Sequence, residues 1–294
     1  MRIQLAAQTD IGLCREQNED AFAFCPDLCS PDWGQTESGM ELGIYGSLLV
    51  VADGMGGSNA GEVASSISIE TIKKQFTPTN LASVVENEKH ITEFLSDTIR
   101  LADEAIHEAM VQRPEIYGMG TTIVVCWLLN NKAHIAWCGD SRCYVYHKES
   151  GLRALTKDHS LVQERVDRGE ITEEEAFVHP DNNIITRGLG DFDTAAVPDM
   201  VTCSIQPNDI VLLCSDGLCG YCNRQTIEKT IKDGQSHLKR CCNSLIGAAL
   251  KAGAEDNITV VLASVTEKKK RRFRWFPFIT EKKSVIQKIF NEVL

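Results

Sequence analysis

One stretch limits what this chain can fold into more than any other: Leu48-Leu49-Val50-Val51-Ala52-Asp53-Gly54-Met55-Gly56-Gly57. Its apolar run has the length and β-branched content of a core strand. The run then stops abruptly at a carboxylate followed by glycines. An acid at the tip of such a strand is held on a rigid support. The glycines let backbone carbonyls or a bound species approach without a Cβ in the way. The plainer alternative is a loop in which Asp53 caps a helix over about residues 59–74.

Three later segments favour the first reading. Ile135-Ala136-Trp137-Cys138-Gly139-Asp140-Ser141-Arg142 repeats the order of apolar strand, glycine and acid, and Ile210-Val211-Leu212-Leu213-Cys214-Ser215-Asp216-Gly217 ends in the same way. Glu255-Asp256-Asn257-Ile258-Thr259-Val260-Val261 inverts it, with the acid just before the strand. Aspartates at four strand ends, from four parts of the chain, point to one convergent carboxylate cluster. Such a cluster repels itself and is costly to bury, unless a hard divalent cation neutralises it. Ligands that are all oxygen select Mg²⁺ or Mn²⁺ over zinc.

Charge distribution narrows the partners. The last 28 residues, Glu267 to Leu294, carry nine Lys and Arg against three Glu, so a tail of +6 follows a body of −17. That body repels nucleic acid and attracts metal ions and basic peptides. The twelve cysteines form no disulfide framework by spacing, and Cys219-x-x-Cys222 lacks a second Cys or His pair that would complete a zinc site. Cys126, Cys138 and Cys214 sit in strand-like runs and read as buried thiols of a reducing, cytoplasmic compartment. No apolar run is long enough to span a membrane, and Met1-Arg2-Ile3-Gln4-Leu5 reads as a first strand rather than a secretory signal.

In chain order, strands are expected over residues 1–10 and Ala21–Phe24, then the central strand with Asp53. Ala60, Val63, Ala64, Ile67 and Ile72 make one helical face, and Leu95, Ile99, Ala102, Ile106, Ala109 and Met110 another. Ile123–Leu129, Ala133–Trp137 and Cys143–His147 read as an antiparallel meander, with Asn130-Asn131 as its first turn. Short helices are expected at 160–168 and 172–178, strands at 200–205 and 210–215, helices at about 223–232 and 236–252, and a last strand at 257–265. Without strict alternation of strand and helix, this order predicts a layered α+β sandwich rather than a doubly wound sheet.

The tail interleaves basic and aromatic residues, Lys268-Lys269-Lys270-Arg271-Arg272-Phe273-Arg274-Trp275-Phe276-Pro277-Phe278, and continues into an amphipathic pattern over 284–294. It is either a solvated appendage or a contact for an anionic membrane surface or an acidic partner, which would make the protein peripheral at the inner membrane surface.

Eight short motifs in this order resemble the metal-dependent protein serine/threonine phosphatases of the phosphatase 2C type, the bacterial members in particular. They are Arg15-x-x-Asn18-Glu19-Asp20, Val51–Gly57, Gly118-Met119-Gly120-Thr121-Thr122, Gly139-Asp140-Ser141-Arg142, Leu155–Ser160, Thr186-Arg187-Gly188-Leu189-Gly190, Ser215-Asp216-Gly217-Leu218 and Asp256-Asn257-Ile258-Thr259. Each is weak alone; eight in order are specific. They cover residues 1–266, and the basic tail 267–294 lies outside.

The resemblance implies a four-layer αββα sandwich with a metal pair at one end. It also implies hydrolysis of phosphoserine and phosphothreonine in proteins by a water bridging two Mn²⁺ or Mg²⁺ ions. Asp53 would bridge the ions, the Gly54 carbonyl would bind one, and Asp216 and Asp256 would complete the other's shell. Asp20 would act directly or through a water, and Asp140 with Asp216 matches the place of a third, weaker ion. Residues 158–193 would form a mobile flap near the substrate.

Arg15, with its planar fork, is the candidate for the phosphate oxygens, the alternative being a surface pair with Glu16 or Glu19. Two histidines of the family are replaced, by Met55 and Ser58, which leaves His159 or His179 or a metal-bound water as candidate acid. An idle phosphatase-like module that recruits partners is the competing function, and it would require a lost ligand.

Overall fold

The computed structural model describes residues 1–34, 39–56, 60–190 and 195–267. Gly57, Ser58 and the tail from Lys268 onward, all singled out above, lie outside the described residues. In chain order the elements are β1 (Arg2–Asp10), β2 (Asp20–Cys25), β3 (Met40–Glu41), β4 (Ser47–Met55), α1 (Ala60–Gln75), α2 (Pro78–Val84) and α3 (Glu88–Gln112). Then follow β5 (Gly120–Thr121), β6 (Ile123–Leu129), β7 (Lys132–Cys138), β8 (Arg142–His147), β9 (Gly151–Ala154), α4 (Leu161–Asp167) and α5 (Glu173–Phe177). The remainder is β10 (Asp199–Ser204), β11 (Ile210–Cys214), α6 (Asp216–Cys219), α7 (Arg224–Gly234), α8 (Leu238–Lys251) and β12 (Ile258–Thr266).

Two antiparallel sheets result, one ordered β3-β1-β12-β11-β8-β9 and the other β10-β7-β6-β4-β2, with β5 pairing beside β4. Period-two alternation along the strands explains how they stack. In β4, Leu49 and Val51 face the other sheet while Leu48, Val50 and Ala52 face the helices α1 and α3. In β11, Val211 and Leu213 point between the sheets, and Ile210, Leu212 and Cys214 point toward α7 and α8. Strands buried on both faces read as continuous apolar runs. The outcome is four layers, helix, sheet, sheet and helix, as expected.

Helix α1 can lie directly on the end of β4 because both contact positions are glycine. A Cβ on Gly61 would stand 2.8 Å from the Gly54 carbonyl carbon, and one on Gly54 would stand 2.2 Å from the Gly61 oxygen. All twelve cysteines are free, nine of them buried.

One expectation fails. Asn130 and Asn131, at φ of 50° and 61°, make the tight turn between β6 and β7, but β8 does not extend this meander. It pairs with β11 and β9 in the opposite sheet. Gly139, at φ of 117°, opens the crossover, and Asp140 sits on the link between the sheets. An apolar strand carries the same alternation whichever neighbour it finds, so the pattern alone could not assign β8.

Candidate active site

Pairing brings the acids together at one end of the sandwich. The β2–β4 register sets Asp20 directly opposite Asp53. Asp216 starts the short helix α6 where β11 stops, and Asp256 precedes β12, the neighbour of β11. Asp140 lies at the same end, on the β7–β8 link.

The backbones carrying these acids are tied by polar side chains. Thr121 Oγ1 and the Thr122 amide both donate to the Asp53 carbonyl at 2.8 Å, which gives the Gly118–Thr122 motif a structural purpose. The Ser215 hydroxyl donates to Asp20 Oδ2 at 2.8 Å and accepts from the Thr259 amide at 2.9 Å. Asn257 clamps the loop after β1. Its Nδ2 donates to the carbonyls of Ile11 and Gln17 at 2.9 and 3.0 Å, and its Oδ1 accepts from the Glu19 amide at 2.8 Å. That loop lies against the Asp256 turn through Gly12, at φ of 77°, where a Cβ would meet the Asp256 carbonyl oxygen at 2.1 Å.

The loop delivers Arg15 to Asp256, not to Glu16 or Glu19. Arg15 Nη2 donates to Asp256 Oδ2 at 2.6 Å, and the two side chains are 51% and 30% exposed. This hydrogen bond and the surrounding acids raise the Arg15 pKa, so the guanidinium remains charged. A protein cation thus stands at one of the proposed metal ligands.

The other acids lack such a partner. Asp20 Oδ1 and Asp216 Oδ1 are buried and accept no hydrogen bond. Burial first, then the charges of Asp20, Asp216 and Asp140, hold the Asp53 carboxyl well above the usual range. Burial, then Asp216 and Asp158, does the same at Asp140. Asp216 is raised by burial and by Asp256, and it lies within hydrogen-bonding reach of Asp53. Burial pushes Asp20 up to about 7, against the lowering effect of its hydroxyl donors.

Groups that resist ionisation because they are desolvated and repel one another are what hard cations relieve. An all-oxygen donor set with orphaned carboxylate oxygens fits Mn²⁺ or Mg²⁺. Among the described residues no three acid, histidine or cysteine side chains already converge tightly enough to hold an ion by themselves. Waters would therefore complete the shells, as Mg²⁺ ordinarily prefers.

A cleft of about 1250 Å³ opens from Arg15, Asp140, Asp216 and Asp256 toward Gln163 on α4 and Phe177 on α5. Its floor holds a bidentate pair, Arg142 to Asp158 at 2.7 and 2.6 Å. Neither candidate histidine lines it. His159 Nδ1 accepts from the Gly139 amide at 3.1 Å, its Nε2 lies 3.2 Å from Asp199 Oδ2, and its ring stacks on Trp137. His179 is spent on Arg165 and on the Asp181 amide, at 3.0 and 3.1 Å.

Sequence reasoning missed Asp103, an acid on the apolar face of α3. Its two oxygens accept from the Gly190 and Ala196 amides at 2.8 and 3.0 Å and so tether the segment that follows α5. The only available signal was a lone acid between Ala102 and Ile106 on a core-facing stripe.

The end of the sandwich thus gathers carboxylates beside an arginine, chemistry suited to hard cations and to phosphate. Residues 7–258 match the family model described as "Protein phosphatase 2C", and the chain belongs to that family. It is 35% identical over 266 residues to protein phosphatase PhpP of Streptococcus pneumoniae, an alignment covering 90% of this chain and 98% of that one. The fold is similar to serine/threonine phosphatase Stp1 from Staphylococcus aureus, with a TM-score of 0.77 and 32% identity over 90% of this chain and 96% of that one. It is also similar to the catalytic domain of the serine/threonine protein phosphatase PstP in complex with two manganese ions, with a TM-score of 0.70 and 31% identity over 90% and 99% of the two chains.

The raised carboxyl pKa values set the pH response of the metal-free protein. Asp20 rises from 3.8 to about 7 on folding, so its contribution favours the fold at low pH and is lost as pH climbs through 7. Protein stripped with EDTA should melt at a lower temperature at pH 8 than at pH 6, and saturating Mn²⁺ should restore most of the loss at pH 8. Thermal scans at both pH values check this. A metal-free protein that is more stable at pH 8, or a melt at pH 8 indifferent to Mn²⁺, contradicts it.

Proposed function

We propose that the protein removes phosphate from phosphoserine and phosphothreonine in protein substrates, using two Mn²⁺ or Mg²⁺ ions held at the acid end of the sandwich. The observation that carries this reading is the pair of buried acceptors without donors, Asp20 Oδ1 and Asp216 Oδ1, beside Asp53. The two manganese ions in the PstP catalytic domain support a metal pair here.

Asp53 would reach both ions, with the Gly54 carbonyl beside it. Asp216 and Asp256 would hold the second ion, and Asp20 would join directly or through a water. Asp140 with Asp216 would take a third, weaker ion. Such ions supply positive charge to the phosphate and bring the pKa of a coordinated water toward neutrality.

This chain's own residues do the rest. Arg15 exchanges Asp256 for the phosphate oxygens, which its planar fork engages in pairs. The ties to Asp53, Asp20 and Asn257 fix the acids before substrate arrives, so little reorganisation accompanies reaction. Arg142 and Asp158 brace the cleft floor between the acid end and the flap, residues 158–193. Neither His159 nor His179 lines the cleft, so the proton for the departing serine or threonine oxygen would come from a water or from another cleft residue.

In this reading residues 1–266 are the catalytic domain. Residues 267–294 are an accessory tail that contacts an anionic membrane surface. No helix among the described residues is long and apolar enough to cross a membrane, so any such attachment would be peripheral and through the tail.

Turnover of p-nitrophenyl phosphate and of a phosphothreonine peptide should require Mn²⁺ or Mg²⁺ and stop on chelation with EDTA. Asp53→Asn and Asp216→Asn should each lower kcat/KM by about 10³-fold or more, and Arg15→Ala by about 10²-fold, the scale for removing a preorganised charge at the reacting centre. Hydrolysis that persists in EDTA, or Asp53→Asn with native activity, removes the reading. Deleting residues 268–294 should leave peptide hydrolysis intact and weaken binding to phosphatidylserine vesicles. Unchanged vesicle binding would dispose of the membrane role while leaving the catalytic one standing.

A further inference from the structure

One buried acid stands apart from the acid end. Asp103 is 3% exposed and is the one charged residue among the buried positions of α3. Ala102 and Ile106, on the same face, are packed into the apolar core. A carboxylate at such a position opposes folding unless it is hydrogen-bonded, and an apolar residue of similar size would serve packing alone. Here it meets two main-chain donors. Oδ1 accepts from the Gly190 amide at 2.8 Å and Oδ2 from the Ala196 amide at 3.0 Å, both in buried surroundings. His107, one turn further along α3 and 44% exposed at its side chain, brings Nε2 to 3.5 Å from Oδ1.

Gly190 ends the C-terminal root of the flap, and its backbone is pressed between α3 and the Gly118–Thr122 motif. At its φ of 86°, a Cβ would stand 2.4 Å from Ile106 Cγ2 and 2.8 Å from the Met119 carbonyl oxygen. Leu189, fully buried, exchanges main-chain hydrogen bonds with Thr121 at 2.8 and 2.9 Å. Thr121 in turn pairs with Gly54, next to Asp53. Asp103 therefore fastens the root of the flap to the strand that supports the acid end.

Other ties hold the flap at other points. Arg187 meets Asp199 at 3.0 and 3.2 Å, but these side chains are 40% and 47% exposed, and such pairs contribute little. The N-terminal root is anchored on the β7–β8 link, where the His159 amide donates to the Gly139 carbonyl at 3.0 Å and Trp137 Nε1 to the Lys157 carbonyl at 2.8 Å. The Thr186 amide donates to the His159 carbonyl at 2.7 Å, which sets the two roots side by side. Between them, α4 and α5 bring Val162, Gln163 and Phe177 to the cleft.

We propose that Asp103 is a positioning residue for the protein substrate: by holding Gly190 and Ala196 it sets where the flap stands, and so how far α4 and α5 lie from the acid end. This inference rests on the phosphatase reading and deepens it. Asp103 is not among the residues lining the cleft, so it acts only through the flap. Its effect falls on a substrate long enough to extend from Arg15 toward Phe177. A small aryl phosphate at the acid end is affected less, because Asp53 keeps both bonds to Thr122, at 2.8 and 3.2 Å, and the pairing of β4 with β2. A wall that holds the polypeptide equally before and during reaction is read in KM rather than in kcat.

Steady-state kinetics at saturating Mn²⁺ on p-nitrophenyl phosphate and on a phosphothreonine peptide test the proposal. Asp103→Asn, which exchanges one acceptor oxygen for an amide group, should lower the ratio of peptide to p-nitrophenyl phosphate kcat/KM about tenfold, the scale of one hydrogen bond to a charged group. The peptide KM should take most of that change. Gly190→Ala crowds the same contact from the flap's side and should lower the ratio likewise, and the double variant should fall by less than the product of the two. Gly190→Ala carries the test alone if Asp103→Asn does not fold. Hydrogen exchange in Asp103→Asn should quicken in peptides covering 158–190 and not in those covering 47–55. A ratio that does not move overturns the inference, whether both substrates lose equally or neither loses. Exchange that quickens equally over 47–55 also overturns it, since Asp103 would then serve stability alone. A parent protein inert toward both substrates would overturn the phosphatase reading and this inference together, whereas an active parent with an unmoved ratio overturns this inference alone.

Discussion

Carboxylates crowded together and partly cut off from water, so that desolvation first and their neighbours' charges second oppose ionisation, are the constraint from which the rest of this structure follows. Asp140 is buried and Asp53, Asp20 and Asp216 are half-buried where the two sheets and their turns meet at one end. Their own hydroxyl and amide donors do not satisfy them, because Asp20 Oδ1 and Asp216 Oδ1 remain without a partner. A fold that merely needed stability would place apolar or paired groups there, since unpaired buried charge opposes folding. The sandwich maintains that unfavourable arrangement by bracing the backbones around it. Thr121 and Thr122 hold Asp53, Ser215 holds Asp20, and Asn257 pins the loop that carries Arg15.

Arg15 shows how the same end can serve two cations in turn. In the structure its guanidinium pairs with Asp256, one of the proposed ligands. An ion that took Asp256 would release Arg15 into the mouth of the cleft, where a phosphate group has oxygens to offer. Neutralisation of the acid and readiness for substrate are then one event. The crowding of the acids, the Arg15–Asp256 pair and the open cleft would then share one electrostatic cause.

Much of this was legible in the sequence, for a physical reason. The buried strands announce themselves as apolar runs, and four of them meet an acid next to glycine or asparagine, so the aspartates at 53, 140, 216 and 256 could be picked out and their gathering anticipated. The two asparagines marked a true tight turn, with φ of 50° and 61°. What escaped were relationships between distant parts of the chain. Nothing local to Cys143–His147 says that this strand pairs with β11 rather than β7. The partner of Arg15 lies 241 residues away, while Glu16 and Glu19 are its neighbours in sequence. Asp103 and Asn257 act on backbone amides and carbonyls, which leave no mark in a residue pattern. The short elements β3, β5, α2 and α6 are set by their surroundings rather than by periodicity.

We propose, above all, that these acids exist to hold a pair of hard cations. An anomalous-difference map from crystals grown with Mn²⁺ tests it most directly. Two peaks about 3.5–4 Å apart, with Asp53 between them and Arg15 turned away from Asp256, are the predicted result. A map with no peak at Asp53, or with Asp256 still bonded to Arg15 at saturating Mn²⁺, would contradict it.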